Sequence, residues 1–350
     1  MAGSINKSRG MKRRDFLKYT GLSMAAAAMP KAVASLPLLQ EQEKEKAEEI
    51  PTVAPRARIP NLYMKNGRPM LAVVEGDNIE AMLTKAFEAL GGLEKIAKGR
   101  ADALLKPNFV FPAIYPEITS GETLKIVFAL LKKARLEKIS VADGGIRWMQ
   151  RSFERSGLKE FAQKSGAELI DMNTSPQVLV KSEQFPLLKT LKVFEPAYKA
   201  SLFINIPTLK THHAASISCV LKNNIGCILR DDRIRMHRLS KNEFDPAQTG
   251  DIKKAIAEIA CACSPDLHII DAREILVGYE HISFGGEVKK AGVLIVSGDP
   301  VAADAYAARV MAQHNPNFAI ESTQPTLKRA EELGLGTANL DNVELIKLAA

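Results

Sequence analysis

Residues 101–145 read ADALLKPNFVFPAIYPEITSGETLKIVFALLKKARLEKISVADGG, and their reading decides the fold. ADALLKPNF (101–109) is a short apolar run with a breaker at Pro107, the pattern of a buried strand. A helical pattern follows over about 121–134, and KISVAD (138–143) is a second strand stopped by Gly144-Gly145. The alternation continues outward in both directions. MLAVVEG (70–76) is β-rich; Ile79, Met82, Leu83, Ala86, Phe87 and Leu90 then recur at helical spacing until Gly91-Gly92. AELID (167–171), SLFIN (201–205), DLHIID (266–271) and GVLIVSGD (292–299) read as further strands. Helices are expected over 214–228, over 251–261 and from 301 onward. Such alternation predicts an α/β fold: a mainly parallel sheet with helices on both faces, in a single large domain over 61–350.

The net charge of +8 is unevenly placed, because residues 1–34 carry +6 of it. The remainder is close to neutral, with 6% aromatic residues and no basic stripe between them, so no nucleic-acid surface is expected. Within MKRRDFLKYTGLSMAAAAMPKAVAS, Arg13 and Arg14 precede Phe16-Leu17-Lys18, a weakly apolar run and Ala32-Val33-Ala34. A charged start, a short apolar stretch and an A-x-A site make a signal peptide, similar over RRDFLK to a twin-arginine signal. That reading predicts passage through the twin-arginine translocon and an exported, periplasmic or extracytoplasmic protein without a membrane span in the mature chain. Residues 35–60, rich in Glu, Lys and Pro, read as a solvent-exposed linker.

In open parallel sheets, ligands sit beyond the carboxyl ends of the strands. The polar residues at those ends are Lys106, Asn108, Asp143, Asn205, Asp271 and Asp299. NIPTLKTHHAASISCVLKNNIGC (205–227) adds Lys210, Thr211, His212, Lys222 and Asn223. Its apolar stripe, Ile217, Val220, Leu221, Ile225 and Ile228, suits a helix packed on the sheet, with His212 and Asn223 on its other side. Lysines beside a helix start suit a phosphate or carboxylate, and the histidine suits an acid/base group or a metal ligand. His212, Lys210 and Lys222 are therefore the candidate catalytic residues. Lys106, Asn108, Asn205, Thr211 and Asn223 are the candidate substrate-binding residues. His212, His237, Asp143 and Asp271 form the candidate metal set, with His237 reaching over from a charged loop. The cysteines, Cys219, Cys227, Cys261 and Cys263, match neither a ferredoxin run nor a paired CxxC zinc site, so no iron–sulfur cluster is expected. Buried inert thiols are the favoured reading, beside a disulfide to Cys261 or Cys263 or a soft-metal site.

From about 70 to 312 the chain resembles the family known as domain of unknown function 362. The resemblance rests on FEALGGLEKIAKG, LLKPNFV, the 205–227 segment, LHIIDA and GVLIVSGDPVAADAYAARVM. It implies that Lys106, Asn108, Asn205, Lys210, Thr211, His212, Lys222, Asn223, Gly226, His237, Asp271, Asp299 and Asp304 occupy signature positions. The expectation is an exported metal- or cofactor-dependent enzyme, redox chemistry included, acting on an anionic small molecule, with a redox partner where the chemistry requires one. The competing expectations are a non-catalytic binding protein for an anionic solute and an accessory subunit of a redox complex.

Overall fold

A computed structural model of the chain describes residues 50–146 and 148–350. The expected signal segment with Arg13 and Arg14, and most of the expected linker, lie outside the described residues. In chain order the strands are β1 (Thr52–Val53), β2 (Met64–Lys65), β3 (Arg68–Glu75), β4 (Asp102–Pro107), β5 (Lys138–Asp143), β6 (Glu168–Asp171), β7 (Gln177–Lys181) and β8 (Thr190–Phe194). They continue with β9 (Phe203–Ile206), β10 (Lys210–His212), β11 (Ser216–Ser218), β12 (Leu267–Val277), β13 (Glu287–Ser297) and β14 (Glu344–Ala349). The main helices are α1 (Ile79–Leu90), α2 (Gly121–Lys133), α3 (Met149–Arg155), α4 (Leu158–Ser165), α5 (Val220–Asn223), α6 (Arg230–His237), α7 (Gly250–Cys263), α8 (Pro300–His314) and α9 (Gln324–Glu332).

The main sheet runs β14-β3-β13-β12-β9-β4-β5-β6. Along this path only β13 is antiparallel to its neighbours; the other pairs are parallel. The sheet is thus mostly parallel, as its apolar, non-alternating strands require: Leu104, Leu105, Ile204, Ile269 and Ile295 are all buried. One core contains α1, α2 and the start of α3; the other contains α7 and α8, so both faces are covered. α1 follows the predicted stripe and stops where Gly91 takes a left-handed conformation, φ 91°. No helix among the described residues is long and apolar enough to cross a membrane.

Two sequence expectations change. Residues 51–60 are part of the domain rather than a solvated linker. β1 pairs in parallel with β7 in a separate three-stranded sheet completed by β8. Arg56 is buried and pairs with Asp266 at 2.7 Å, while donating to the carbonyls of Ser264 (2.6 Å) and Ala200 (2.8 Å). Asp266 also accepts from the backbone of Ile59 and Phe203, both at 2.7 Å, so every charge there is met.

The segment 214–228 is not one helix. β10 and β11 form an antiparallel hairpin with His212 opposite Ser216, and only then does the short α5 begin. Nδ1 of His212 accepts the N–H groups of Ala214 (3.2 Å) and Ala215 (3.4 Å), a local turn that competes with helical bonding. Ser216 sits at φ 69°, outside the helical region. The apolar stripe is still buried, Ile225 only partly, but strand, helix and 3-10 turn share the work.

Replacing Arg56 with Ala leaves the Asp266 carboxylate buried and uncompensated, so Arg56→Ala should lower stability by about 3–5 kcal/mol in urea unfolding. A loss under about 0.5 kcal/mol, the usual effect of a surface change, would return residues 51–60 to the linker.

Candidate functional site

β4, β5 and β9 end at the same edge because they are parallel neighbours: Lys106 lies opposite Asn205, and Pro107 opposite Ile206. That edge carries a continuous network of buried polar groups. Lys106, with no exposure, donates to Asp143 at 2.7 Å and to its neighbour's carbonyl, Pro107 O, at 2.9 Å. Asp143 uses its other oxygen to accept from Phe109 N at 2.7 Å. Asn223 donates to Asn205 Oδ1 at 2.7 Å and accepts from Asn108 Nδ2 at 3.0 Å. Asn108 Oδ1 in turn receives Lys210 Nζ at 3.3 Å, and Lys210 reaches Glu117 O at 2.7 Å. Residues from six chain segments are thereby fixed relative to one another.

Lys210 is carried past the strand ends because β12 outruns β9 and takes β10 as a parallel neighbour at Leu276. The same hairpin presents His212 and His213. Their rings stack at 4.6 Å, and His213 stacks on Phe244 at 4.6 Å. His213 Nδ1 lies 2.7 Å from Glu280 Oε1, on a loop between β12 and β13. Beside it, His281 lies 3.6 Å from Glu117. Lys222 stands on α5, whose first N–H groups, of Val220 and Leu221, are held by Asp304 at 2.7 and 3.0 Å.

The cations beside this network have lost water. Burial, and then the charge of Lys222, lowers the Lys210 ammonium to about 7. Burial also brings Lys222 down to about 8, against the pull of Glu280. His212 is held well below its ordinary value by burial and by Lys222, so it is neutral. Glu280 would be raised by burial, but the hydrogen bond and charge of His213 outweigh this and hold it at about 2. Two lysines of changeable charge thus face neutral His212 and one carboxylate, an arrangement that attracts anions and can exchange protons near neutral pH.

The model of the family described as domain of unknown function DUF362 matches residues 103–309, more than half of the chain and all of this network. The chain belongs to this family. A thylakoid-associated protein of Synechocystis is 26% identical over 266 residues, covering 75% of this chain and 77% of its own. Among solved structures, the lactate racemase apoprotein of Thermoanaerobacterium thermosaccharolyticum is similar with a TM-score of 0.49 and 13% identity, over 74% of this chain. A Thermotoga maritima protein gives 0.44 and 12%, also over 74%. The chain spans 60% of the length of each of those two chains.

The catalytic and substrate-binding candidates expected from sequence fall into three groups. Lys106, Asn108, Asn205, Lys210 and Asn223 form the network; Lys222 and His212 stand beside it. Thr211 points elsewhere: its hydroxyl lies 3.5 Å from Met311 Sδ and from Asn315, against and just beyond α8. The metal set expected from sequence is not assembled. Asp143 is saturated by Lys106 and two backbone N–H groups, of Phe109 and Gly144. Asp271 lies within β12 rather than at its end, because that strand continues to Val277, and is bound by Arg273 (3.0 Å), Thr123 (2.6 Å) and Tyr115 (3.1 Å). His237 ends α6 instead of standing in a loop, with its Nδ1 bonded to Glu243. Asp299 caps α8 through Val301 and Ala302, both at 2.9 Å. The four cysteines are buried and unbridged, and Cys219 and Cys227 do not share a helix.

Two residues that the sequence reading passed over are central. Glu117 and Glu280 sit in loops without periodicity. The only signal for Glu280 was an adjacent acid and histidine between glycines, GYEHISFGG. That signal was available.

Gly226 shows how tightly the DUF362 network is packed. A Cβ there would lie 2.2 Å from Asp143 Oδ1 and 2.7 Å from Lys106 Nζ. Gly226→Ala should therefore destabilise the protein by about 1–3 kcal/mol in urea unfolding, although alanine is otherwise the better helix former. Unchanged stability would mean that the ion pair is not packed against this turn.

Proposed function

We propose that this protein is an exported enzyme that holds an anionic small molecule between Lys210 and Lys222 and moves a proton through His212 or the His213–Glu280 pair. The observation that carries the proposal is the pairing of two desolvated lysines with neutral His212. Desolvated ammonium groups bind carboxylate or phosphate strongly, since no water shell has to be removed at the moment of binding. An amine near pKa 7 also exchanges its proton readily at neutral pH. Glu280 fixes the His213 ring through its Nδ1. Export by the twin-arginine route belongs to the same proposal and rests on the Arg13-Arg14 segment.

A second reading is favoured by the donor set itself. One nitrogen each of His212 and His213 and one oxygen of Glu280 lie within 4.8 Å of one another. Two imidazoles and a carboxylate suit zinc, iron or another first-row transition metal, which would supply Lewis-acid or redox chemistry when bound. In this reading Glu280 would move from bracing His213 to ligation, and His212 would offer the nitrogen that the turn N–H groups leave unused. The lysines would still bind the anion.

Anion binding has a defined pH dependence. Lysine binds the anion only when protonated, so affinity should be greatest below about 7 and fall as pH rises through 7 and 8. Calorimetric titration with inorganic phosphate or a small carboxylate should show a weakening of at least about tenfold between pH 6 and 9. Lys222→Ala should weaken binding by roughly tenfold and flatten that profile. Affinity that is independent of both pH and Lys222 would defeat the proposal.

Metal removal separates the two readings. If His212, His213 and Glu280 hold a metal, natively exported protein contains close to one equivalent by elemental analysis, and Glu280→Gln lowers it at least about tenfold. Activity that survives chelation with the metal absent leaves the proton-transfer reading alone.

A further inference from the structure

The loop 108–119 has two working faces. Its ends touch the anion site proposed around Lys210 and Lys222, the inner pocket of that reading, through Asn108 Oδ1 and Glu117 O on Lys210. Its middle, Phe111 and Pro112, forms one wall of an open cleft of about 360 Å³ completed by Trp148, Arg151, Glu154 and Arg155. The Phe111 ring also packs on His281 at 4.5 Å, so one aromatic side chain separates the cleft from the residues around Lys210.

The cleft is built unlike ordinary surface. Trp148, the chain's single tryptophan, is 57% exposed and held in the left-handed region at φ 56°, where bulky residues are rare. Its neighbours tie it down: Gly145 is bound by Asn173, and Ile146 N donates to Val110 O at 2.8 Å. Arg151 lies over the indole at 5.8 Å. Neither Arg151 nor Arg155 makes an ion pair among the described residues, while Glu154 is taken up by Lys159 at 2.7 Å. An exposed indole, a phenyl ring and two guanidinium groups without a salt bridge among the described residues, though Arg151 is near the Glu154 carboxylate, recognise a planar aromatic ring that carries negative charge.

We propose that this cleft is an outer subsite for an aromatic anion of mononucleotide size, the remote part of the ligand whose anionic group enters the inner pocket. The proposal rests on the inner-pocket reading only for that last connection; the cleft's own chemistry is independent of Lys210 and Lys222. Loop 108–119 would couple the two, since a ring stacked on Phe111 bears on His281 and thereby on Glu117.

The single tryptophan makes the test direct. The full-length protein is titrated with AMP, adenosine and inorganic phosphate while Trp148 fluorescence is followed. AMP, with both ring and charge, should quench the signal saturably and bind roughly tenfold more tightly than either fragment. Arg155→Ala, at an exposed position, should weaken AMP by about fivefold or more. No saturable quenching by AMP, or quenching unchanged in Arg155→Ala and Arg151→Ala, overturns the subsite. Loss in Lys222→Ala but not in Arg155→Ala places AMP in the inner pocket and also overturns it, while the inner-pocket reading stands. Intact AMP quenching alongside phosphate binding that ignores Lys222 supports the cleft and removes the inner pocket.

Discussion

The Lys106–Asp143 pair at the ends of β4 and β5 is the constraint on which the site depends. An ammonium with no exposure is tolerable only when its charge and all three of its protons are met. Asp143, Pro107 O and the more distant Asn223 Oδ1 meet them, at 2.7, 2.9 and 3.5 Å. Each partner is then committed elsewhere: Asp143 holds the start of the 108–119 loop through Phe109 N, and Asn223 holds Asn108 and Asn205. Removing any one group would leave several buried polar atoms unmatched, so the cost would exceed that of a single hydrogen bond.

This network separates scaffold from chemistry. Residues inside it are saturated, and a saturated group is poorly placed to act on a ligand. Lys222 is different: it makes no hydrogen bond or ion pair among the described residues, yet it lowers the proton affinity of both Lys210 and His212. Lys210 lies between the two classes, anchored to Asn108 and Glu117 while its charge remains poorly solvated. The proposed site therefore lies where the hairpin β10–β11 and the loop carrying Glu280 meet beside the network. Rigid strand ends below and loop-borne titratable groups above are the usual division of labour in α/β sheets.

How much of this was legible in the sequence varied by residue. Lys106, Asn108, Asn205, Lys210 and Asn223 were recognisable as polar residues in apolar or strand-end settings, and they do converge. The error at 214–228 came from a stripe satisfied equally by a helix and by a hairpin followed by a short helix, since both bury Ile217, Val220 and Leu221. Asp143 and Asp271 looked like free carboxylates because sequence cannot show that Lys106, Arg273, Thr123 and Tyr115 already occupy them. Residues 51–60 looked like linker because Arg56 reads as a solvent residue until Asp266, 210 positions away, is brought beside it.

By itself the sequence determined the α/β class, the two covered faces and the polar character of the strand ends, because hydrophobic period and breaker residues are local properties. Tertiary structure alone decided which polar groups are spent on one another and which keep chemical capacity. That division depends on distances between segments far apart in the chain and on the water excluded between them. Desolvation lowers Lys210 and Lys222 and keeps His212 neutral, and no local pattern encodes it.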